Sequence, residues 1–176
     1  VKIKDKNNFV KTFNQIYPEK KIDHINGISI DSRLIDDHDI FIPFKGDSFD
    51  GHKFIDSVLK KNGTICFSEN NNNTNGRIIH TSSNKNALLN LASAWRKRMQ
   101  SKVIAITGSN GKTTTKELLF HIIESKHKCS KSTGNHNSTI GLPLSLLNCR
   151  IDDKFTVLEL GANQPGEIKT LCDFVQ

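Results

Sequence analysis

The stretch richest in chemistry is Val103-Ile104-Ala105-Ile106-Thr107 running straight into Gly108-Ser109-Asn110-Gly111-Lys112-Thr113-Thr114. Glycines at 108 and 111 let the backbone turn tightly and aim N–H groups inward, as a phosphate cradle requires. Leu118, Leu119, Ile122 and Ile123 follow at helical spacing, so the loop ends at a helix N-terminus whose dipole favours an anion. Lys112 supplies a positive charge for the β- and γ-phosphates of a nucleoside triphosphate, and the Thr113 hydroxyl can ligate Mg²⁺. Ile106 stands where the full phosphate-loop motif has its first glycine. Candidate nucleotide-binding residues are therefore Thr107, Gly108, Ser109, Asn110, Gly111, Lys112, Thr113 and Thr114. A glycine turn with a capping threonine would use the same residues and bind nothing.

A phosphoryl site also needs an acidic residue at the end of a neighbouring strand to hold the metal. Glu159 closes the apolar run Phe155-Thr156-Val157-Leu158 and fits that place, the alternative being a carboxylate that caps a local turn. Asp152-Asp153 lies in the turn before that strand and is expected to be solvated. Between loop and carboxylate lies Gly134-Asn135-His136-Asn137-Ser138-Thr139-Ile140-Gly141. The amides of Asn135 and Asn137 suit a polar pocket, although the segment alone reads as a turn into a helix capped near Thr139. Catalytic roles fall to Lys112, Glu159 and Asn137, and metal ligation to Thr113 and Glu159.

These residues need strands and helices to hold them. From Val103 onward the order is strand, glycine turn, helix, short strand, loop, helix and strand, an α/β unit with a mainly parallel sheet; its first strand reads as buried on both faces. Upstream, Phe9, Val10, Phe13, Ile16 and Tyr17 mark an amphipathic helix, and short strands are expected at 25–30, 39–44, 64–67 and 77–80. Phe54, Ile55, Val58 and Leu59 predict a helix closed by Gly63. Ser83 or Asn84 caps a helix whose apolar face is Ala87, Leu88, Leu91, Ala92, Trp95 and Met99. The asparagine run 70–73 is a loop. The texture changes at 97–102, giving two domains, 1–97 and 98–176.

The net charge of +7 invites a nucleic-acid reading, but the lysines are spread along the chain and Arg96-Lys97-Arg98 is their one tight cluster. A solvated lysine-rich surface is expected instead, with no nucleic-acid partner. No apolar run is long enough to span a membrane. Cys66, Cys129, Cys149 and Cys172 have no metal-ligand spacing and read as buried free thiols in a reducing cytoplasm. His52, His80, His121 and His127 read as surface or cap residues.

Taken together, Thr107 to Glu117, Gly134-Asn135-His136-Asn137 with Ile140-Gly141-Leu142-Pro143, and Glu159-Leu160-Gly161-Ala162-Asn163-Gln164-Pro165-Gly166-Glu167-Ile168 resemble the Mur ligase family. That family forms amide bonds in peptidoglycan precursors using ATP. Ile30-Asp31-Ser32-Arg33 and Lys45-Gly46-Asp47-Ser48-Phe49-Asp50-Gly51-His52 resemble its uridine-binding domain. The chain departs from the family pattern at Ser138, where a second asparagine is expected, at His38, where a turn glycine is usual, and at Gln164, where histidine is frequent.

The resemblance implies a small UDP-muramoyl-binding domain over 1–97 and the first part of a phosphate-loop ATPase domain over 98–176. It implies ATP and Mg²⁺, with Asn135 and Asn137 on the ATP or substrate side and Ser32 and Arg33 touching the UDP moiety. Within the family it favours the member whose substrates are UDP-N-acetylmuramoyl-tripeptide and D-Ala-D-Ala, joined through an acyl phosphate by a cytoplasmic monomer. A C-terminal domain and a modified lysine of the family are expected beyond Gln176, so the chain alone should turn over negligibly. The alternatives are a sister Mur or folylpolyglutamate-type ligase, or a nucleotide-binding module without catalysis.

Overall fold

The computed structural model describes residues 1–70, 74–134, 136–162 and 164–175. The chain forms two compact units, Val1–Leu91 and Ala92–Gln176. Both are α/β, and all the strand pairings between named strands are parallel.

The first unit begins with helix α1, Lys6–Ile16, whose N-terminus is capped by Asp5 accepting from the Asn8 N–H. It buries Phe9, Thr12 and Phe13, and it stops where Pro18 follows Tyr17, because the residue before a proline is pushed out of helical geometry. Strands β1 (Gly27–Ser29), β2 (Asp39–Phe41), β3 (Ile65–Ser68) and β4 (Ile78–His80) form a sheet in that order. The expected helix around Phe54 is a 3₁₀ turn, Gly51–Phe54, running into α2, Ile55–Val58. It ends well before Gly63, which instead turns the chain with φ +62°. Ile35, Phe41, Ile55, Val58, Leu59, Cys66 and Ile78 form one buried cluster.

His38 is the one non-glycine residue with positive φ among the described residues, at 60°. It occupies the position where a turn glycine was expected, and the backbone still takes the left-handed conformation that glycine accepts without strain.

Helix α3, Asn84–Arg98, contains the division between the two units. Ser83 is its cap, its Oγ accepting from the Asn86 N–H at 3.3 Å, while the Asn84 amide donates to the Pro43 carbonyl. All six residues of its expected apolar face are buried; Trp95 is fully so, and its indole N–H donates to the Cys149 carbonyl.

In the second unit, β5 (Lys102–Ile106), β6 (Cys129–Lys131) and β7 (Phe155–Glu159) form a sheet in the order β5-β7-β6. Three helices accompany them: α4 (Lys112–Glu124), α5 (Gly141–Leu147) and α6 (Glu167–Val175). The expectation that β5 is buried on both faces is wrong. Among the described residues of this chain it pairs with β7 alone, so Val103, Ile104 and Ile106 are half-buried and Ala105 is exposed. The central strand β7 takes the buried position, with Thr156 to Glu159 all covered. Helix α5 is buried all round, as a helix apolar on every face must be.

On α4 the buried residues are Lys116 and Phe120, while Leu118 and Ile122 are 61% and 68% exposed. Asp153 is buried rather than solvated, accepting from the Ser130 hydroxyl and the Arg150 N–H, while Asp152 pairs with Lys128 at the surface. Helix α5 starts at Gly141 with Ile140 at its N-cap, next to the expected Thr139, and the Ser138 Oγ accepts from the Gly141 N–H at 3.2 Å. All four cysteines are free; Cys66 and Cys149 are buried, and Cys129 and Cys172 half-buried. His52 is also half-buried, with Nδ1 on Asp50.

Candidate phosphate-binding site

Strand β5 delivers Thr107 to the mouth of the loop, and α4 starts at Lys112. Gly108 (φ +148°) and Gly111 (φ +74°) both stand in conformations that a side chain would strain, which is how the turn closes in so few residues. Lys112 folds back over the loop, its Nζ donating to the Gly108 carbonyl at 2.7 Å. One helical step on, Thr113 Oγ1 donates to Glu159 Oε2 at 2.8 Å.

Glu159 ends β7 with its side chain 4% exposed. Its second oxygen, Oε1, accepts from Asn137 Nδ2 at 2.9 Å, and its own N–H donates to Ser132 Oγ at 3.0 Å. A buried carboxylate is costly unless donors surround it, and two elements supply them here: α4 and the loop before α5.

Asn137 is held from behind. Its carbonyl accepts from the Gly161 N–H at 2.9 Å, and a Cβ on Gly161 would come within 2.9 Å of the Asn137 side chain. Gly161 is thus a positioning residue that sequence spacing did not single out, although it stands inside the Glu-Leu-Gly run. Beside these groups lies a cavity of about 530 Å³. Thr107, Gly108, Ser109 and Lys112 line one wall, and Asn137 and Gly161 another.

Of the residues chosen from sequence, Thr113, Asn137 and Glu159 meet in one hydrogen-bonded group, and Lys112 bonds to Gly108 of the glycine loop beside it. Asn110 and Thr114 are exposed on the loop and the first turn of α4 and do not line the cavity. Asn135 lies outside the described residues. Ser32 and Arg33 belong to the first unit, on a 3₁₀ turn, Ser32–Leu34, capped by Asp31. There the Arg33 guanidinium, 85% exposed, grips Asp31 and holds its carboxyl down at about 2. Arg33 also lines a hollow of about 410 Å³ with Ser29, Leu34 and Asp39; Ser32 does not.

The residue that the spacing most clearly missed is Lys116. Its side chain is 1% exposed, and Nζ lies 3.9 Å from Glu159 Oε2 and 3.3 Å from Glu117 Oε1. Lys131, and less strongly Lys116, keep the Glu117 carboxyl below the usual carboxylate range.

A parallel strand, a glycine turn, a helix N-terminus and a carboxylate at the end of the adjacent strand give the second unit the form of a phosphate-loop α/β unit. Two family models match the chain, "Mur ligase family, catalytic domain" over residues 24–104 and "Mur ligase middle domain" over 106–176. The chain belongs to the Mur ligase family.

It is 36% identical over 150 residues to the UDP-N-acetylmuramoyl-tripeptide--D-alanyl-D-alanine ligase of Bacillus subtilis, which covers 84% of this chain and 33% of that protein. Against the same ligase of Borreliella burgdorferi the identity is 37% over 163 residues, covering 84% and 35%. The chain therefore spans about a third of the length of these relatives. Among solved structures, the D-alanyl-D-alanyl ligase of Acinetobacter baumannii aligns over 95% of this chain and 39% of its own, at TM-score 0.84 and 32% identity. The MurF ligase of Thermotoga maritima in complex with ADP aligns over 84% and 35%, at TM-score 0.76 and 36% identity.

Proposed function

We propose that this chain is part of an ATP-dependent ligase that adds D-Ala-D-Ala to UDP-N-acetylmuramoyl-tripeptide, a cytoplasmic and monomeric enzyme of peptidoglycan precursor synthesis. The observation that carries the reading is the group Thr113–Glu159–Asn137 beside the glycine loop and its cavity. The relatives named above, all ligases of that specificity and one of them holding ADP, support it. Four free cysteines agree with a reducing compartment.

The donor set suits a magnesium nucleotide. Thr113 and Glu159 offer hard oxygens, one hydroxyl and one carboxylate, which is what Mg²⁺ takes when phosphates and waters complete its octahedron. A bound Mg²⁺ would neutralise phosphate charge and orient the transferring phosphoryl group. The chain's own residues do the rest. The loop amides and the N-terminus of α4 receive the phosphates, and Lys112 leaves the Gly108 carbonyl to meet them. Asn137 holds Glu159 in place and offers its remaining amide capacity to the cavity. In the first unit, Ser32 and Arg33 are the proposed contacts to the UDP moiety, with the domain limits read as 1–97 and 98–176. The exposed Arg33 guanidinium beside its hollow supports that reading.

Release of phosphate from ATP by the longer protein that carries these residues tests the activity. The reading requires release only when UDP-N-acetylmuramoyl-tripeptide and D-Ala-D-Ala are both present. Release driven by a single amino acid or by glutamate, with D-Ala-D-Ala inert, would assign the chain to a sister ligase.

A further inference from the structure

Lys116 is buried in the second unit, where an ammonium is expensive to place, and the group around it forms a chain of alternating charge. At the outer end Lys131 pairs with Glu117 and lies 4.2 Å over the Phe120 ring. Glu117 reaches Lys116 at 3.3 Å, and Lys116 faces Glu159 Oε2 at 3.9 Å. Lys116 Nζ also donates to the Gly134 carbonyl at 3.4 Å, in the turn that leads to Asn137. Among the described ion pairs, Lys116 is the cation on Glu159.

We propose that Lys116 is a positioning residue that fixes the Glu159 carboxylate, and through it the metal-dependent part of nucleotide binding. The inference rests on the reading of this site as a metal–nucleotide site. At 3.9 Å the ammonium acts on Glu159 by charge rather than by a direct hydrogen bond, in a setting where solvent screens little. Its tie to Gly134 braces the turn before Asn137, so one side chain steadies both the carboxylate and a donor to it. Without the ammonium, Glu159 is a buried charge held by neutral donors alone, and such a charge relaxes toward water or toward new partners. A carboxylate that has moved no longer meets a cation beside Thr113. The phosphate contacts of the loop amides and Lys112 do not depend on it.

Calorimetric titration of the 176-residue chain with ADP, in Mg²⁺ and in EDTA, reads this directly as the ratio of the two Kd values. The wild-type chain is expected to bind more tightly in Mg²⁺. Lys116→Met should cut that ratio by about fivefold or more while Kd in EDTA moves by less than about threefold; a general loosening of the fold would weaken both together. In a Glu159→Gln background the same substitution should leave the ratio within about twofold, because a residue acting through Glu159 has nothing left to act on.

An unchanged or raised ratio in Lys116→Met, or an equal drop in both backgrounds, overturns the proposal. Lys116→Gln is the second variant, and loss of the fold in both, followed by Trp95 fluorescence, would overturn it in favour of a purely structural lysine. A wild-type ratio of one would instead fail the metal–nucleotide reading itself, and the inference with it.

Discussion

Replacing Thr113 by valine keeps the shape and the β-branching of the side chain and removes only its hydroxyl, so helix propensity barely changes. The hydroxyl donates at 2.8 Å to a carboxylate oxygen on a side chain that is 4% exposed. Hydrogen bonds to charged groups contribute about 1.5–3 kcal/mol, and because Thr113 itself is exposed, water can take over part of its role. The expected loss of stability is therefore at the low end, about 1.5 kcal/mol. Thr113→Ser, which keeps the hydroxyl, should lose less than about 0.5 kcal/mol. The chain has one tryptophan, Trp95, buried in the second unit and donating to the Cys149 carbonyl, so urea titration followed by its fluorescence reports on this unit. A valine variant within about 0.5 kcal/mol of wild type, or a serine variant as weak as valine, would refute the claim that the Glu159 carboxylate depends on this donor.

Three further outcomes concern the first unit. Gly63 sits at φ +62° and a Cβ there would overlap the His38 ring, so Gly63→Ala should cost about 2 kcal/mol or more in urea unfolding followed by circular dichroism. Burial pushes the phenol of Tyr17, packed between Phe13 and Phe67, up to about 12, so the phenolate absorbance of the one tyrosine should be missing at pH 11 and appear on unfolding. Cys66, likewise pushed up by burial from 9.0 to about 12, carries the same sign. The unfolded chain gives up these protons first, so the unit is fully stabilised below about pH 9 and loses stability as pH rises toward 12.

How much of this could be read in the sequence differs from element to element. The phosphate loop was legible because its parts are contiguous: an apolar run, two glycines, Gly-Lys-Thr and a helical pattern in direct succession. Glu159 was legible because an acid closing an apolar strand is a costly placement that needs a reason. Lys116 was not, since a lysine on an amphipathic helix reads as solvent-facing, and only the approach of β7 and the Gly134 turn makes its burial tolerable. Leu118, Leu119, Ile122 and Ile123 did mark the helix, but periodicity finds an apolar stripe without saying whether anything covers it, and Leu118 and Ile122 are exposed. The apolar run 103–107 marks a strand without telling which strands flank it, and within this chain the order is β5-β7-β6. Gly161 is readable only once the Asn137 side chain is known to lie where its Cβ would be.

The proposed function stands on the loop from Thr107 to Thr113 receiving nucleotide phosphates. Calorimetry with ADP and Mg²⁺ on wild type and on Lys112→Ala tests it most directly. The wild type should show one saturable site and the variant a Kd raised by about 10- to 100-fold, the value of a charge-assisted contact to phosphate. Absence of binding by the wild-type chain, or equal affinity in the Lys112→Ala variant, would contradict it.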